Sequence, residues 1–319
     1  MKRECISILL IAALISITAC GHASNDCKIK KETFVFAIKG ADTLSLDKYE
    51  DVSLPTTSSK PVLLFAFGGG FKGGNKANKE YIPYFNFLAE NGYVVVSTDY
   101  RVGLKGLKAE SMRNPQDFVA ALQNAIGMAV EDFFDATRFI IDKNKEWNIN
   151  PESMVACGSS AGAVTCLQAE YEICNRTELT KRLPESFNYA GVVSFAGAIA
   201  AIGQPSWSQK PCPIMLFHGD ADRTVPFEKA VMDNVGLWGS AAIAKQLDEL
   251  QTPYYFYKVE NAGHEMAGVP LSDNRYDILS FLTKMVIRKE KLIIHTDVKK
   301  IGQEEVKKDF TLLDYIQNQ

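Results

Sequence analysis

A serine in a turn of small residues is the first group in this sequence that could carry out chemistry. Residues 158–162 read GSSAG, with Ser160 at the centre. The apolar residues 154–157 before it predict a buried strand, and residues 163–170 after it predict a helix. A G-x-S-x-G sequence between a strand and a helix indicates a tight turn that exposes the serine hydroxyl. The pattern is common by itself, so its meaning depends on a base, an acid and an oxyanion-binding loop elsewhere in the chain.

Serine needs a positioned base, and a carboxylate that orients this base, before it acts as a nucleophile. His264 directly follows the last predicted strand, residues 254–260, whereas His218 ends an earlier strand. The other two histidines, His22 and His295, lie outside the predicted sheet. His264 is therefore the predicted base. The chain order of serine, then an acid near residue 222, then histidine matches one known order of catalytic triads.

A glycine-rich segment supplies candidate groups for binding an oxyanion. Residues 67–71 read FGGGF and follow the apolar run 61–67, which predicts a strand buried on both faces. Acyl transfer needs backbone N–H groups directed at the oxygen on which charge develops, and glycines allow that close approach. The alternatives are a flexible glycine turn or a phosphate-binding loop. A loop of the Gly-Lys-Ser/Thr type is excluded, because the Lys-Ser/Thr pair is missing.

The elements that must position these groups alternate between strand and helix from residue 61 onward. This alternation predicts the α/β class, with a mostly parallel central sheet and helices on both faces. Such sheets place their sites at the carboxyl ends of the strands, where the features above fall. The predicted strands are residues 33–39, 43–49, 61–67, 93–97, 154–157, 190–195, 213–218 and 254–260. The predicted helices are residues 83–90, 115–145, 163–170, 227–234, 240–250 and 273–289.

Residues 33 to 288 resemble the α/β-hydrolase superfamily, and in particular its carboxylesterase and hormone-sensitive-lipase-like members. The segment HGDADRTVP at 218–226 is similar to the H-G-x-x-D-x-x-V-P loop of these enzymes. That match implies that Asp222 is the catalytic acid, with Asp220 as a rival whose simplest role is to brace the loop. His264 matches their late Gly-His pair.

The loop at 67–71 is similar to the H-G-G-G-[FW] motif of the same enzymes, with Phe67 where many relatives have histidine. Cholinesterase-like relatives carry an aromatic residue there. The resemblance implies that the backbone N–H groups of Gly69, Gly70 and Ala161 form the oxyanion hole.

Two further predictions concern the surroundings of this loop. The tripeptide DYR at 99–101 resembles one that follows a core strand in these esterases, which implies that Asp99 and Arg101 brace the turn beneath the oxyanion loop, with direct contact to the substrate as the alternative. Four aromatic residues in or near predicted loops are candidates for the pocket wall, with core or rim positions as the alternative. They are Phe71, Tyr81, Tyr84 and Trp207.

The first residues of the chain have the features of a bacterial export signal. Lys2 and Arg3 precede an apolar stretch that is too short to span a membrane comfortably and that ends in ITAC at 17–20. This end resembles a lipobox. Residues 1–19 are therefore predicted as a lipoprotein-type signal peptide, with Cys20 lipidated in a cell-envelope protein of the outer membrane or periplasm. A soluble secreted protein, cut near the same place, is the alternative.

The remaining residues are predicted to form a tether at 20–31, a hydrolase domain at 32–290 and an extension at 291–319. The extension is charged and weakly periodic, and either a packed segment or a loose tail is compatible with it. After Cys5 and Cys20, five cysteines remain among the 319 residues, and none has the Cys/His spacing of a metal site. A net charge of −3 gives no basic surface for nucleic acid.

Together these features predict a serine esterase in which Ser160, His264 and Asp222 act through an acyl-enzyme, without a metal or an organic cofactor. The substrate is expected to be a small-molecule or carbohydrate ester, with acetyl or feruloyl groups as the candidates. Contact with a membrane is expected through the lipid anchor only, and the oligomeric state stays open. One alternative is a serine peptidase of the prolyl-oligopeptidase type. No region long enough for a propeller precedes the predicted domain, which is an argument against this alternative. The other is a non-catalytic binding protein with the hydrolase fold, which would require an incomplete triad.

Overall fold

The computed structural model of the chain describes residues 28–55, 57–107 and 114–317. Its strands are β1 (Ile29–Lys39), β2 (Asp42–Asp51), β3 (Lys60–Ala66), β4 (Val94–Thr98), β5 (Ile149–Ser159), β6 (Gly191–Phe195), β7 (Ala198–Ile202), β8 (Ile214–Gly219), β9 (Lys229–Met232), β10 (Val235–Gly239), β11 (Tyr254–Val259) and β12 (Ile293–Val298). Its α-helices are α1 (Ile82–Glu90), α2 (Pro115–Asp142), α3 (Ala161–Asn175), α4 (Ser240–Glu249), α5 (Pro270–Asp273), α6 (Arg275–Phe281) and α7 (Leu312–Gln317). Shorter helical segments are the 3₁₀ turns Glu178–Arg182 and His264–Ala267 and the π-helical segment Leu282–Ile287.

Nine of these strands form one sheet in the order β1-β2-β4-β3-β5-β6-β8-β11-β12. The pairs from β4 to β12 are parallel, whereas β1 and β2 form an antiparallel hairpin that joins β4 at one side. The side chains of Val62, Leu63, Leu64 and Phe65 in β3 are fully buried. This central strand is therefore covered on both faces, as its continuous apolar run predicts. The predicted α/β class with a mostly parallel sheet is confirmed.

Helix α2 is the longest helix and begins where the sequence places it. Pro115 occupies its first turn, and the Asn114 side chain accepts a hydrogen bond from the Gln116 N–H (3.1 Å). An asparagine cap followed by proline is a favourable helix start, because both satisfy or remove N–H groups that have no partner in the first turn. The helix packs against α3, which follows β5. These two helices position the turn at Ser160 and one side of the cavity above it.

The predicted helix at 227–234 is wrong. Residues 229–239 instead form the hairpin β9–β10, which pairs with β7 in a second sheet of order β7-β10-β9. The two residues of the hairpin turn, Asp233 and Asn234, have φ values of 47° and 76°. A two-residue turn with positive φ at both positions matches the twist of the flanking strands, and Asp and Asn tolerate this conformation. The turn chemistry therefore decides against the helix.

The end of the predicted domain also differs from expectation. The helix expected at 273–289 corresponds to α6 and the π-helical segment that continues it, whereas the short helix α5 ends before it at Asp273. Beyond it, β12 pairs in parallel with β11, from Tyr254 opposite Ile293 to Val259 opposite Val298. Part of the segment at 291–319, expected to lie outside the hydrolase domain, is thus a strand of the main sheet. At the other end, β1 begins inside the predicted tether at 20–31.

The predicted signal peptide, the lipidation site Cys20 and Cys27 lie outside the described residues. The four cysteines within them are buried and unpaired, namely Cys157, Cys166, Cys174 and Cys212. In the same part of the chain, no His, Cys, Asp or Glu side chains cluster in a group of three or more that could hold a metal ion. None of the helices that are described has the length and apolar character to cross a membrane.

Candidate active site

Ser160 lies in the turn between β5 and α3, with φ 52° and ψ −118°. This conformation is unfavourable for a residue with a side chain, so surrounding contacts must hold it. One contact is the hydrogen bond from the Ser160 N–H to the Phe195 carbonyl (2.8 Å). A Cβ atom on Gly158 would lie 2.3 Å from the Gly162 carbonyl oxygen, and one on Gly162 would lie 2.1 Å from the Ala66 carbonyl oxygen. Both glycines of the pattern are therefore required by close backbone packing.

The structure brings Ser160, His264 and Asp222 together. The Ser160 Oγ atom lies 2.7 Å from His264 Nε2, and His264 Nδ1 lies 2.8 Å from Asp222 Oδ2. A carboxylate only accepts hydrogen bonds, so His264 Nδ1 carries the proton that it donates to Asp222. The Nε2 atom is then the acceptor for the Ser160 hydroxyl, the tautomer that a general base needs.

Asp222 is buried and accepts several hydrogen bonds. Its Oδ1 atom accepts the N–H groups of Thr224 (2.8 Å) and Val225 (3.0 Å), while Oδ2 faces His264 and lies 3.4 Å from His218 Nε2. Burial alone would raise the pKa of this carboxyl. The hydrogen bonds from His218 and His264 outweigh burial and hold the pKa of Asp222 well below its ordinary value. Asp222 therefore stays ionised when it faces His264.

His218 supports the acid from a fully buried position at the end of β8. Its Nδ1 atom lies 2.8 Å from Ser240 Oγ, and its Nε2 atom lies 3.2 Å from the Val225 carbonyl. Because a carbonyl can only accept, the Nε2 proton points toward Val225 and the neighbouring Asp222. His218 thus lies at the end of a strand, as the sequence predicts, and these contacts fix the loop that carries Asp222.

Asp220, the rival acid, makes its contacts with Asn261 and Lys308. Its Oδ1 atom accepts the Asn261 N–H (2.6 Å), and its Oδ2 atom pairs with Lys308 Nζ (3.2 Å). The first contact ties the loop after β8 to the loop after β11, which carries His264. Asp220 therefore braces the two loops, as its simplest reading predicts.

The glycine-rich loop presents free backbone N–H groups beside Ser160. Gly69 and Gly70 have φ values of 137° and 61°, and a Cβ atom on Gly69 would lie 2.3 Å from the Gly73 carbonyl oxygen. Among residues 28–55, 57–107 and 114–317, the N–H groups of Gly69, Gly70 and Ala161 have no hydrogen-bond acceptor. The Ala161 group opens helix α3, where the first N–H groups of a helix lack intrahelical partners. These three groups are available for an oxyanion.

Two tyrosines hold this loop in place. The Tyr81 hydroxyl accepts the Gly68 N–H (3.1 Å), and the Tyr100 hydroxyl donates to the Phe67 carbonyl (2.6 Å). The Tyr100 and Phe67 rings also stack, with centroids 4.3 Å apart. No motif in the sequence predicts this supporting role for Tyr100. Its position in the chain could have indicated this role. Tyr100 follows β4, which lies beside β3 in the sheet, and the two parallel strands end near the same loop.

Asp99 and Arg101 hold the segment after β4 against other elements. Asp99 Oδ2 accepts the Ser45 hydroxyl (2.9 Å) and pairs with Lys76 (3.2 Å). Arg101 makes a two-pronged contact with the buried Asp132 of α2, through Nε (2.9 Å) and a terminal nitrogen (2.8 Å). These contacts join β4 to β2 and α2, whereas the direct support of the oxyanion loop comes from its neighbour Tyr100.

Comparison with known proteins places this geometry in a known fold. The BD-FAE family model matches residues 50–208. Fumonisin B1 esterase of Sphingopyxis macrogoltabida is 30% identical over 105 residues, which are 32% of this chain and 18% of that protein. Esterase B1 of Culex pipiens is 30% identical over 124 residues, 39% of this chain and 21% of that protein. The chain thus spans about a fifth of the length of these curated relatives.

Solved structures extend the likeness over most of the chain. The apo form of Thermogutta terrifontis esterase 2 has a TM-score of 0.57 and 20% identity, covering 82% of this chain and 96% of that one. Its propionate-bound form has a TM-score of 0.57 and 19% identity, covering 82% and 95%. The chain has the α/β-hydrolase fold. The relatives and solved structures to which it is similar are named as esterases.

A cavity of about 490 Å³ opens beside Ser160. Ser160, His264 and the loop at 68–72 lie at its base. Its walls come from α2, the second sheet and α7, through largely apolar side chains. Those of α2 and the second sheet are Phe118, Val119, Leu122, Ile126, Ala230, Val235 and Leu237. The part of a bound molecule that extends from Ser160 into this cavity therefore contacts an apolar surface.

The four aromatic candidates for the pocket wall divide into two pairs. Phe71 and Tyr81 line the cavity. Tyr84 lies in the core, where its hydroxyl is 3.7 Å from Cys157 Sγ. Trp207 donates its indole N–H to Gln246 (2.9 Å) and is not part of the cavity wall. The core alternative is thus correct for Tyr84, and Trp207 lies away from the cavity.

Proposed function

We propose that this α/β-hydrolase cleaves carboxylic esters through an acyl-enzyme formed on Ser160. The hydrogen-bonded series from Ser160 through His264 to Asp222 is the observation that carries the proposal. His264 Nε2 accepts the hydroxyl proton as Ser160 Oγ attacks the ester carbonyl, and His264 then gives this proton to the departing alcohol. Water attacks the resulting acyl-enzyme with His264 again as base, which releases the carboxylic acid and restores the Ser160 hydroxyl.

The charges that develop during these steps have partners in the site. The carbonyl oxygen becomes an oxyanion during each attack, and the unpaired N–H groups of Gly69, Gly70 and Ala161 are its proposed donors. His264 becomes positively charged at the same time, and the ionised Asp222 stabilises it at 2.8 Å. None of these steps requires a metal or an organic cofactor, so the chain's own residues supply each proton acceptor and donor.

The test of ester hydrolysis compares the wild type with Ser160→Ala on p-nitrophenyl acetate. The variant is expected to lose activity by about 10⁴-fold or more, because no acyl-enzyme can form. Ser272→Ala, which removes an exposed serine hydroxyl in α5, serves as the control and keeps the wild-type rate. Equal rates for the wild type and Ser160→Ala would contradict the proposal and favour a binding protein with the same fold.

For the substrate, we propose acetyl or feruloyl esters of carbohydrates. The apolar cavity beside Ser160 supports an acyl group with apolar surface, and its volume of about 490 Å³ leaves room for an aromatic one. The test is a panel of acetylated and feruloylated oligosaccharides compared with simple alkyl esters, measured as kcat/KM. Higher values for the oligosaccharides support this class. Preference for the alkyl esters by the same enzyme would leave a general carboxylesterase.

We also propose that the protein is an exported lipoprotein with Cys20 as its lipidated N-terminal residue. The support is the ITAC sequence at 17–20 after an apolar stretch. Mass spectrometry of the mature protein tests this, with a lipid-modified Cys20 as the expected first residue. An unmodified residue at another position would contradict it. Cys20→Ser is expected to leave the precursor unprocessed and without lipid.

A further inference from the structure

Helix α7 contributes a wall to the cavity that contains Ser160. Leu312, Tyr315 and Ile316 line this cavity together with α2 and the second sheet. Tyr315 and Ile316 are each only 8% exposed, whereas Leu313 on the same helix is 54% exposed. The helix thus presents one face to the cavity and the other to solvent. We call this inward face, formed by Leu312, Tyr315 and Ile316, the α7 wall.

The helix is fixed at its first turn. The Thr311 hydroxyl and N–H both donate to Asp314 Oδ2, at 2.9 Å and 2.7 Å, and the Asp314 N–H lies 3.3 Å from Thr311 Oγ1. Reciprocal bonds of this kind define a start for a helix that is otherwise too short to be stable alone. Contacts with β9 and α2 then place α7 between two other walls of the cavity.

The segment leading to α7 is attached to the loops that carry the acid and the base. Lys308 pairs with Asp220 (3.2 Å), and the Val306 N–H donates to the Asn261 side chain (3.3 Å). The Arg223 guanidinium lies 5.5 Å from the centroid of the Phe310 ring. The same two loops that position Asp222 and His264 therefore also hold the α7 wall in place.

Tyr315 has the character of a wall residue and not of an acid. Its burial raises the pKa of its phenol well above the ordinary value, and the nearby Asp222 raises it further. The ring is therefore neutral at any pH at which His264 acts as a base. Its main contribution to the cavity is volume and apolar surface.

We propose that the α7 wall determines the size of the ester group that the cavity accepts, with Tyr315 and Ile316 as the specificity-determining residues. This inference rests on the proposed ester hydrolysis at Ser160. The part of the substrate that extends away from the scissile carbonyl meets Tyr315 and Ile316, so that their volume limits its length. Exchanging side chains on this face changes selectivity between esters while the triad and the oxyanion loop stay intact.

The experiment measures kcat/KM for short and long esters in two series. The first varies the acyl group and compares p-nitrophenyl acetate with p-nitrophenyl octanoate. The second varies the alcohol and compares methyl acetate with octyl acetate. Tyr315→Ala and Ile316→Ala are expected to raise kcat/KM for the long ester relative to the short one about tenfold in one of the two series, the lower end of the effect of one methylene group in an apolar pocket. Ile316→Phe adds volume and is expected to lower the same ratio. Leu313→Ala, on the exposed face of α7, is the matched control and keeps the wild-type ratio.

Thermal unfolding of each variant accompanies these measurements, so that a change in selectivity is compared only among folded proteins. Ratios that stay within about twofold of the wild type in both series, for all three inward-facing variants, would overturn the α7 wall. The same effect from Leu313→Ala would also overturn it, since that side chain does not face the cavity. A wild type that hydrolyses no ester would instead contradict the proposed function, and the wall would fall with it.

Discussion

At the scale of single residues, the sequence predicts the members of the proposed triad but not their surroundings. Ser160, Asp222 and His264 could be selected because each follows a predicted strand, and parallel strands end at one edge of the sheet. The additional donors to Asp222 from Thr224 and Val225 depend on the backbone path of one loop. Such a path is not encoded in a periodic pattern, so only the structure reveals why this carboxyl is strongly held in its charged form.

The role of Asp222 leads to a prediction for Asp222→Asn. The amide cannot hold the His264 Nδ1 proton as a carboxylate does, so the base occupies the wrong tautomer and loses its counter-charge. We expect kcat on p-nitrophenyl acetate to fall by about 10³- to 10⁴-fold with a folded protein. Asp220→Asn is the matched control, because its Oδ1 atom can still accept the Asn261 N–H. A loss in Asp220→Asn as large as in Asp222→Asn would instead make Asp220 the catalytic acid.

The lowered pKa of Asp222 also predicts how stability depends on pH. Its pKa in the folded state is below that in the unfolded chain, so its ionised form stabilises the fold above the unfolded value of about 3.9. This contribution is lost as the pH falls through the folded value. We therefore expect the difference in unfolding free energy between the wild type and Asp222→Asn to shrink as the pH falls from neutral to about 2. Urea unfolding over this range measures it, and a constant difference would contradict the assignment.

At the scale of elements, buried strands were easier to predict than the second sheet. The main strands are continuous apolar runs. β9 and β10 are short and only partly buried, and the spacing of their apolar residues is also compatible with a helix. The deciding residues were Asp233 and Asn234, whose positive φ values form the hairpin turn. The consequence for function is direct, because β10 supplies Val235 and Leu237 to the cavity wall.

The space around two glycines predicts opposite effects of replacing them by alanine: Gly162, at the junction of β5 and α3, and Gly127, in α2. Gly162→Ala would place a Cβ atom 2.1 Å from the Ala66 carbonyl oxygen, and backbone must move to relieve this contact. We expect a loss of about 4 kcal/mol or more, with loss of activity, as for other severe clashes in a core. Gly127→Ala in α2 meets no atom within 4 Å and is expected to stabilise by up to about 1 kcal/mol. Thermal and urea unfolding distinguish the two, and equal effects would contradict the packing argument.

At the scale of the whole molecule, the segment after residue 290 contributes to two separate parts of the structure, the main sheet and the cavity wall. β12 covers the edge of β11 in the main sheet, and α7 closes one side of the cavity. The sequence alone left this segment undecided, because β12 alternates between exposed and half-buried residues and carries no continuous apolar run. Its pairing depends on the edge of β11, which is a partner that local sequence does not reveal.

Two truncated chains distinguish the contribution of β12 to the sheet from that of α7 to the cavity. A chain that stops at residue 290 leaves the edge of β11 that faces β12 unpaired and removes the contact between the Tyr254 hydroxyl and His295. We expect lower thermal stability and a tendency to aggregate, because an unpaired edge strand offers its N–H and C=O groups to other chains. A chain that stops at residue 299 keeps β12 but lacks α7, so it should retain most of the stability and remain monodisperse in light scattering. If both chains lose stability equally, β12 does not protect the sheet edge, and the segment acts as one unit through its attachment to the acid and base loops.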